Sequence, residues 1–222
     1  MLKPKKKITR KEMKKDPLLE TIDSIESKFE ENKKTIGNAA ILVFAVLIGG
    51  YIFLNKQNQN KLESNYALGI AMLAYSNMDY ENAKFQFESL SSNFANTSSA
   101  NTSNFFLGKI AYKNGDLVNS EIYLNNFLNE SNDGVLVCGA IKILADISMI
   151  NKNPEKALMI LDKAKGYKLS NLLLLDLRIV KASAMIAQGA LKDALTILGD
   201  INIQKNIPTH LKQRLEELYG MI

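Results

Sequence analysis

The chain has 222 residues, of which 46% are hydrophobic and 23% are charged, and its formal net charge is +5. These proportions are close to globular averages and exclude wholesale disorder and a fibrous fold. The single cysteine, Cys138, excludes an intrachain disulfide and a multi-cysteine metal site, and we expect it to be a small buried apolar residue.

The positive charge is concentrated near the N-terminus. Residues 1–35 carry 11 Lys/Arg and 7 Asp/Glu, whereas residues 55–222 carry 17 and 16. The larger part of the chain therefore lacks the electrostatic footprint of a phosphate-backbone site, and no nucleic-acid partner is predicted for it. The basic run 3–15 is interpreted as a determinant of membrane topology, with binding to anionic lipid or nucleic acid as the alternative.

The first predicted element is an amphipathic helix in the basic tail 1–35. Asp16 followed by Pro17 is a favourable helix start, because the carboxylate can cap the first turn and the proline presets its φ. An apolar stripe follows at helical spacing: Leu18, Ile22, Ile25 and Phe29. We expect this stripe to lie on the membrane surface or against a partner helix, unless the helix simply continues into the next segment.

A transmembrane helix is predicted at Ile36–Leu54, which carries no charged residue. At about 1.5 Å per residue, this segment matches a hydrocarbon core of about 30 Å. The excess of Lys/Arg before the span predicts an inner-membrane protein with a cytoplasmic N-terminus and an extracytoplasmic C-terminal domain, which lies in the periplasm if the cell is Gram-negative. A cleaved signal peptide is disfavoured, because the preceding tail is long and contains acidic residues. Ala45 and Gly49 permit close helix packing and hence a homo-oligomer, and residues 55–63 are predicted to be a polar linker.

Residues 64–222 contain a pattern that repeats every 37 residues. Four segments display it: YENAKFQF at 80–87, LVNSEIYL at 117–124, PEKALMIL at 154–161 and LKDALTIL at 191–198. In each, a small residue is followed four positions later by a large apolar residue, and another small residue stands twelve positions before the first. Turn-forming residues lie between the two small ones. Small residues at this spacing let antiparallel helices approach closely, so the pattern predicts four helical hairpins.

The positions that define the repeat are few. The small residues are Ala71, Gly108, Ala145 and Ala182 on the first helices, and Ala83, Ser120, Ala157 and Ala194 on the second helices. The Ser/Asn/Thr-rich segment 91–104 is interpreted as a solvated loop. Residues 209–219 are predicted to form a capping helix, with its leucines on one face and a glycine after it.

These residues resemble tetratricopeptide (TPR) repeats, whose 34-residue unit carries small residues at corresponding positions on two helices. The segment LGKIAYKNGDL at 107–117 is the best match, and the resemblance covers 64–211. It implies an all-α fold with an N-terminal amphipathic helix, one transmembrane helix and a TPR-like α-solenoid of about four hairpins plus a capping helix. The chain departs from the TPR pattern in having no tryptophan and three extra residues per unit.

The whole layout is also similar to the bacterial family of ancillary Sec-translocon subunits, which have a short cytoplasmic N-terminus, one span and a periplasmic TPR-like domain. This resemblance implies a protein-interaction module accessory to protein translocation or envelope protein folding, with translocon subunits, folding factors or unfolded clients as partners. The alternative is a structural tether or oligomerisation scaffold for an inner-membrane complex.

TPR geometry implies a concave groove lined by the first helix of each hairpin. The residues at the corresponding positions are Leu68, Met72, Tyr75, Phe105, Lys109, Tyr112, Lys142, Asp146, Met149, Ile179 and Ile186. We expect this groove to take an apolar helix or an unfolded segment, although several of these side chains could instead pack as core. The Lys/Asn pair that clamps a terminal carboxylate in chaperone-binding TPRs is replaced by Leu68 and Met72.

Catalysis is not predicted. The chain has one histidine, His210, which is expected at the surface, and no motif of a phosphate-binding loop, zinc protease or serine hydrolase. No cofactor and no metal are predicted.

Overall fold

Helices make up most of the described chain. The computed structural model describes residues 17–131, 133–204 and 206–222, and these contain no strand. The α-helices of these residues are α1 (Pro17–Ser76), α2 (Tyr80–Asn93), α3 (Ser98–Lys113), α4 (Leu117–Glu130), α5 (Gly134–Ile150), α6 (Pro154–Asp162), α7 (Asn171–Gln188), α8 (Leu191–Asn202) and α9 (Thr209–Gly220). A short 3-10 helix, Lys163–Gly166, follows α6. The predicted all-α fold is confirmed.

Contacts between residues divide the chain into two units, Met1–Asn58 and Gln59–Ile222. In the first unit, α1 carries the apolar segment 36–54 with its side chains exposed on every side, and the stripe of Ile22, Ile25 and Phe29 is exposed as well. Among the described helices, α1 alone is long and apolar enough to cross a membrane. The basic run 3–15, the Asp16 cap and the Leu18 side chain lie outside the described residues.

The polar segment 55–63 is helical. It was predicted as a linker between the span and the repeats, and it forms part of α1, which runs through all 60 residues of Pro17–Ser76. Its lysine, glutamine and glutamate residues are good helix formers, and the segment contains neither glycine nor proline to end the helix.

Four hairpins form the second unit, and each crosses at the small residues. All eight of these residues are buried, as are the large apolar residues Phe87, Leu124, Leu161 and Leu198. The approach is close in the second hairpin, where a Cβ on Gly108 would lie 2.6 Å from Leu124 Cγ. Ser120 completes the crossing, because its hydroxyl donates a hydrogen bond to the Gly108 carbonyl oxygen at 2.8 Å. The repeat pattern therefore marks the helix crossings correctly.

The turns inside the hairpins repeat with the same 37-residue period. Each contains a residue in the left-handed region, at Met78, Gly115, Lys152 and Gly189, with φ of 62°, 79°, 56° and 84°. The next residue caps the second helix. Asp79, Asp116 and Asn153 accept hydrogen bonds from backbone N–H groups three residues later, whereas Ala190 provides no side-chain cap. Three of the four second helices thus begin with an Asp or Asn cap.

Two hydrophobic clusters form the core of the second unit. The larger cluster joins residues from α1 to α7, and the smaller one joins α7, α8 and α9. The predicted capping helix is confirmed as α9, which buries Leu211, Leu215 and Leu218 against this smaller cluster. Cys138 is buried and free, as predicted.

The interpretation of 91–104 as a solvated loop was wrong. Only a short turn separates α2 from α3, and Ser99, Ala100, Asn101 and Ser103 are buried in α3. The hydroxyl of Ser99 donates to the side-chain oxygen of Asn65 at 2.6 Å, and the Asn101 amide donates to the Phe127 carbonyl oxygen at 3.1 Å. Small polar side chains are therefore packing and bonding residues here, although the same composition is typical of loops.

Polar contacts 34 residues apart join the first helices of successive hairpins. The Tyr112 hydroxyl on α3 donates to Asp146 on α5, and Lys142 on α5 lies 2.6 Å from Asp176 on α7. The Asp146 carboxylate accepts a hydrogen bond from the protonated phenol, and together with partial burial this raises the pKa of Tyr112 to about 12.

Replacing Gly108 by alanine is expected to destabilise the fold. The new Cβ would overlap Leu124, which is fully buried, and overpacking of this kind costs about 1–3 kcal/mol of unfolding free energy. The matched control is Gly199→Ala on α8, where a Cβ meets nothing within 4 Å and helix propensity predicts a gain of about 0.5–1 kcal/mol. Urea unfolding of the full chain in detergent, followed by circular dichroism, compares the two. Equal effects of both changes would contradict the proposed crossing.

Removing the Asp146 carboxylate is expected to lower the pKa of Tyr112 towards its ordinary value of 10. Because the folded pKa is raised, the phenol stabilises the fold below about pH 10, and this contribution is lost as the pH rises through about 12. Ultraviolet titration of Asp146→Asn, with Tyr112→Phe used to assign the signal, measures the change. Asp193→Asn on the exposed surface of α8 is the control, and an unchanged Tyr112 titration in Asp146→Asn would refute the contact.

Candidate protein-binding groove

The candidate groove is the face formed by the first helices of the hairpins. We call this the first-helix face and define it by Leu68, Met72, Tyr75, Phe105, Lys109, Tyr112, Lys142 and Met149. α3 contacts α5, and α5 contacts α7, so the first helices stack on each other directly. Stacked hairpins of this kind create an extended concave surface on which side chains from several repeats can meet one ligand.

The structure places the eight residues at different depths. Met72 is 43% exposed, and Lys109, Tyr112 and Lys142 are half-buried. Leu68, Tyr75 and Met149 are also half-buried, with part of each side chain packed against the larger core cluster. These seven side chains can therefore present surface to a ligand.

Phe105 lies in the core and not on the surface. It is 5% exposed and its ring is 5.3 Å from both Phe106 and Phe127, measured between ring centroids. Ile179, which TPR geometry also assigned to the groove, is fully buried in the smaller core cluster, and Ile186 packs against the same cluster. The alternative interpretation, that some of these residues are core, thus describes Phe105 and Ile179.

The end of the face near α1 is aromatic and carries a cation. The Lys109 ammonium lies 5.3 Å from the ring centroid of Tyr75, 5.6 Å from that of Phe105 and 5.9 Å from that of Phe106. Tyr75 in turn makes edge contacts with Phe106 and with Tyr80 at the start of α2. Aromatic rings of this kind offer a rigid apolar surface for contact with a ligand. Met72 on the same helix as Tyr75 adds a flexible apolar side chain that can adapt to the ligand's shape.

The end of the face near α9 is charged and internally paired. Asp176 on α7 accepts from Lys142 at 2.6 Å and from Arg214 on α9 at 3.1 Å. This bridge links three helices, and its side chains are between 18% and 41% exposed. Partly solvated pairs of this type contribute about 0–1 kcal/mol each, so their main effect is to fix the stacking order.

Sequence reasoning named Lys142 but missed Asp176 and Arg214. The sequence does contain a signal for this pair: residues 142 and 176 carry opposite charges, and their separation of 34 positions is close to the length of one repeat. Tyr112 and Asp146 have the same separation, and both of those residues had been assigned to the groove. His210, predicted to be a surface residue, is exposed on α9.

This arrangement of side chains is suited to binding another polypeptide. Its groups are an exposed methionine, half-buried tyrosines and a half-buried lysine on one side and a salt-bridged network on the other, spread over the five helices α1, α3, α5, α7 and α9. Such surfaces bind helices or extended segments through apolar contacts and a few charge-assisted bonds.

Comparison with known proteins agrees with the fold. Two crystal structures of a putative kinesin light chain from Podosopora anserina, described by its nearly identical TPR-like repeats, are similar to this chain with TM-scores of 0.54. The sequence identity is 17%, and the similarity covers 71% of this chain and 85% of the other. At this identity the likeness concerns the fold alone. The curated proteins include no match to the chain.

A family model gives the assignment directly. The model of the tetratricopeptide repeat-like domain matches residues 27–196, which include most of α1, the first three hairpins and the fourth hairpin as far as the middle of α8. The chain therefore belongs to the tetratricopeptide repeat-like domain family.

Proposed function

We propose that this protein is a membrane-anchored interaction module, accessory to protein translocation or envelope protein folding. The TPR-like fold is that of a protein–protein interaction module. The membrane anchor, the compartment and the kind of partner are parts of the proposal. They are supported by the apolar helix α1, by the distribution of charge and by the likeness of the layout to ancillary Sec-translocon subunits.

The exposed apolar surface of α1 carries the proposal. Within 36–54, the large apolar side chains from Ile41 to Leu54 are between 54% and 72% exposed on all sides of the helix. Soluble monomers rarely expose apolar surface of this extent, because its contact with water is unfavourable by about 25 cal/mol per Å². A lipid bilayer would cover this surface completely, and the length of the segment fits one crossing.

The charges on the two sides of 36–54 support one orientation. Eleven Lys/Arg precede the segment, and within about 20 residues after it only Lys56 and Lys61 follow. Positively charged flanks stay in the cytoplasm, so the hairpins of Gln59–Ile222 would face the extracytoplasmic side, which is the periplasm in a two-membrane bacterium. Client proteins emerging from a translocon are found in this compartment, and they expose the apolar segments that the first-helix face suits.

A structural tether is the second candidate, and a separate surface favours it. Leu62, Tyr66 and Leu73 on α1 are 64%, 74% and 62% exposed, and their spacing places them along one side of the helix. A constant partner at this side would make the protein a scaffold, whereas varied partners in the groove would make it a chaperone-like accessory factor.

Two arginines in the apolar segment are expected to release the protein from the membrane. In Val46→Arg/Leu47→Arg, each arginine costs about 2.5–3.5 kcal/mol at the bilayer centre. Alkaline carbonate extraction is expected to leave the wild type in the membrane pellet and the variant in the supernatant. Leu62→Arg/Leu73→Arg, which places the same charges later on α1, is the matched control and is expected to remain in the pellet.

Proteinase K added to spheroplasts tests the orientation in the same preparation. We expect it to degrade the hairpin unit and to leave a fragment from the N-terminal side. Wild-type protein in the carbonate supernatant would contradict the anchor, and a hairpin unit degraded only after lysis would contradict the orientation.

A further inference from the structure

Lys109 differs from the other half-buried lysines of the described segments. Four lysines in those segments are half-buried: Lys109, Lys142, Lys156 and Lys181. Three of them pair with carboxylates, at 2.6 Å for Lys142 with Asp176, 2.5 Å for Lys156 with Glu121 and 2.7 Å for Lys181 with Asp162. Within the same segments, Lys109 has neither a carboxylate within 4.0 Å nor a hydrogen-bond acceptor, and its ammonium meets only aromatic rings.

Two of the aromatic rings beside the Lys109 ammonium are fixed in the core. Phe106 is 8% exposed and stacks on the fully buried Phe87 with ring centroids 5.1 Å apart, and Phe105 is equally immobilised in the core. Their faces attract the cation, but a ring is a poor acceptor for the three N–H donors of an ammonium group. The donors that point away from the rings remain available to a stronger acceptor.

We propose that Lys109 is the anion-recognition residue of the first-helix face and binds the side-chain carboxylate of an Asp or Glu in a bound polypeptide. This inference rests on the proposed protein-binding function of the groove and specifies its ligand: an apolar segment that contains an acidic residue. Met72 and Tyr75 contact the apolar side chains, and Lys109 contacts the carboxylate between them. Partial burial strengthens such a charge-assisted bond relative to one at an open surface.

Charge complementarity favours an acidic segment over a basic or neutral one. At the α9 end of the face, Asp176 already has two cationic partners, and Asp146 accepts the Tyr112 hydroxyl. The acidic side chains of the face therefore already have partners. Lys109 at the α1 end, by contrast, has no acidic partner among the described residues. A basic ligand would have to break an existing pair, whereas an acidic ligand completes one.

The ligand carboxylate is that of a side chain and not of a chain terminus. A terminal carboxylate offers two oxygens at a free backbone end and is held in TPR grooves by more than one polar residue, but Leu68 and Met72 are apolar. A single lysine between apolar side chains suits an internal residue, whose neighbours continue along the groove on both sides.

The test uses the full chain in lipid nanodiscs and a panel of fluorescein-labelled, amphipathic 15-residue peptides with blocked ends. Each peptide is made as a pair with Glu or Gln at the central position, and fluorescence anisotropy gives the dissociation constants. We expect Glu peptides to bind the wild type about tenfold more tightly than their Gln twins, the usual size of one charge-assisted bond. Raising the salt concentration is expected to remove much of this preference.

The variant Lys109→Met is expected to bind Glu and Gln peptides equally, at the affinity of the Gln peptides for the wild type. Methionine retains the apolar stem over the rings, so the thermal unfolding midpoint should not change. Lys113→Met is the matched control: Lys113 lies one turn later on α3, with its ammonium 3.7 Å from the centroid of the Tyr80 ring, and it is exposed outside the first-helix face. This control is expected to keep the tenfold preference.

Three results would overturn the assignment. If Glu and Gln peptides bind the wild type equally, Lys109 does not recognise an anion, although the groove still binds protein. If Gln peptides with a free C-terminal carboxylate bind more tightly than blocked Glu peptides, the carboxylate comes from a chain terminus. If no peptide of the panel binds, both the assignment and the proposed function of the groove fail.

Discussion

The close approach of paired helices at small residues is the constraint on which this structure depends. At the crossing of α3 and α4, Gly108 leaves so little room that a single added carbon would overlap Leu124, and Ser120 bonds to the Gly108 backbone. Alanines occupy the same positions in the other three hairpins, all of them buried. Because each hairpin closes at the same place, successive hairpins stack in register, and their first helices come to form one continuous face.

That face explains how a chain without a catalytic motif can act through its surface. Its α1 end combines Met72 and aromatic rings with the half-buried ammonium of Lys109, whereas its α9 end is a closed network around Asp176. The first end has groups available for a ligand, and the second mainly fixes the order of the helices. A different surface supports the proposed membrane anchor. The apolar part of α1 is exposed, and the rest of the described chain does not cover it.

The repeat could be predicted from the sequence because the crossing accepts only small residues, and a strict requirement leaves a visible pattern. The turn geometry was less visible: all four turns need a left-handed residue, yet only Gly115 and Gly189 show it, since Met78 and Lys152 adopt that conformation without being glycine. The start of α3 was missed because Ser, Thr and Asn are usual in loops, and only the structure shows that they bond to neighbouring helices. Phe105 was assigned to the groove because helical position alone cannot tell a surface aromatic residue from one turned into the core.

The claim that the first-helix face binds polypeptides is tested most directly by site-specific photo-crosslinking in intact cells. A photoreactive amino acid is placed at Met72, Tyr75 or Tyr112 of the face, and at Phe85, Ile122 or Met159, which are exposed apolar residues of the second helices. We expect crosslinked proteins of varied identity from the first set and none from the second. Equal capture from the two sets, or capture from the second helices alone, would contradict the account.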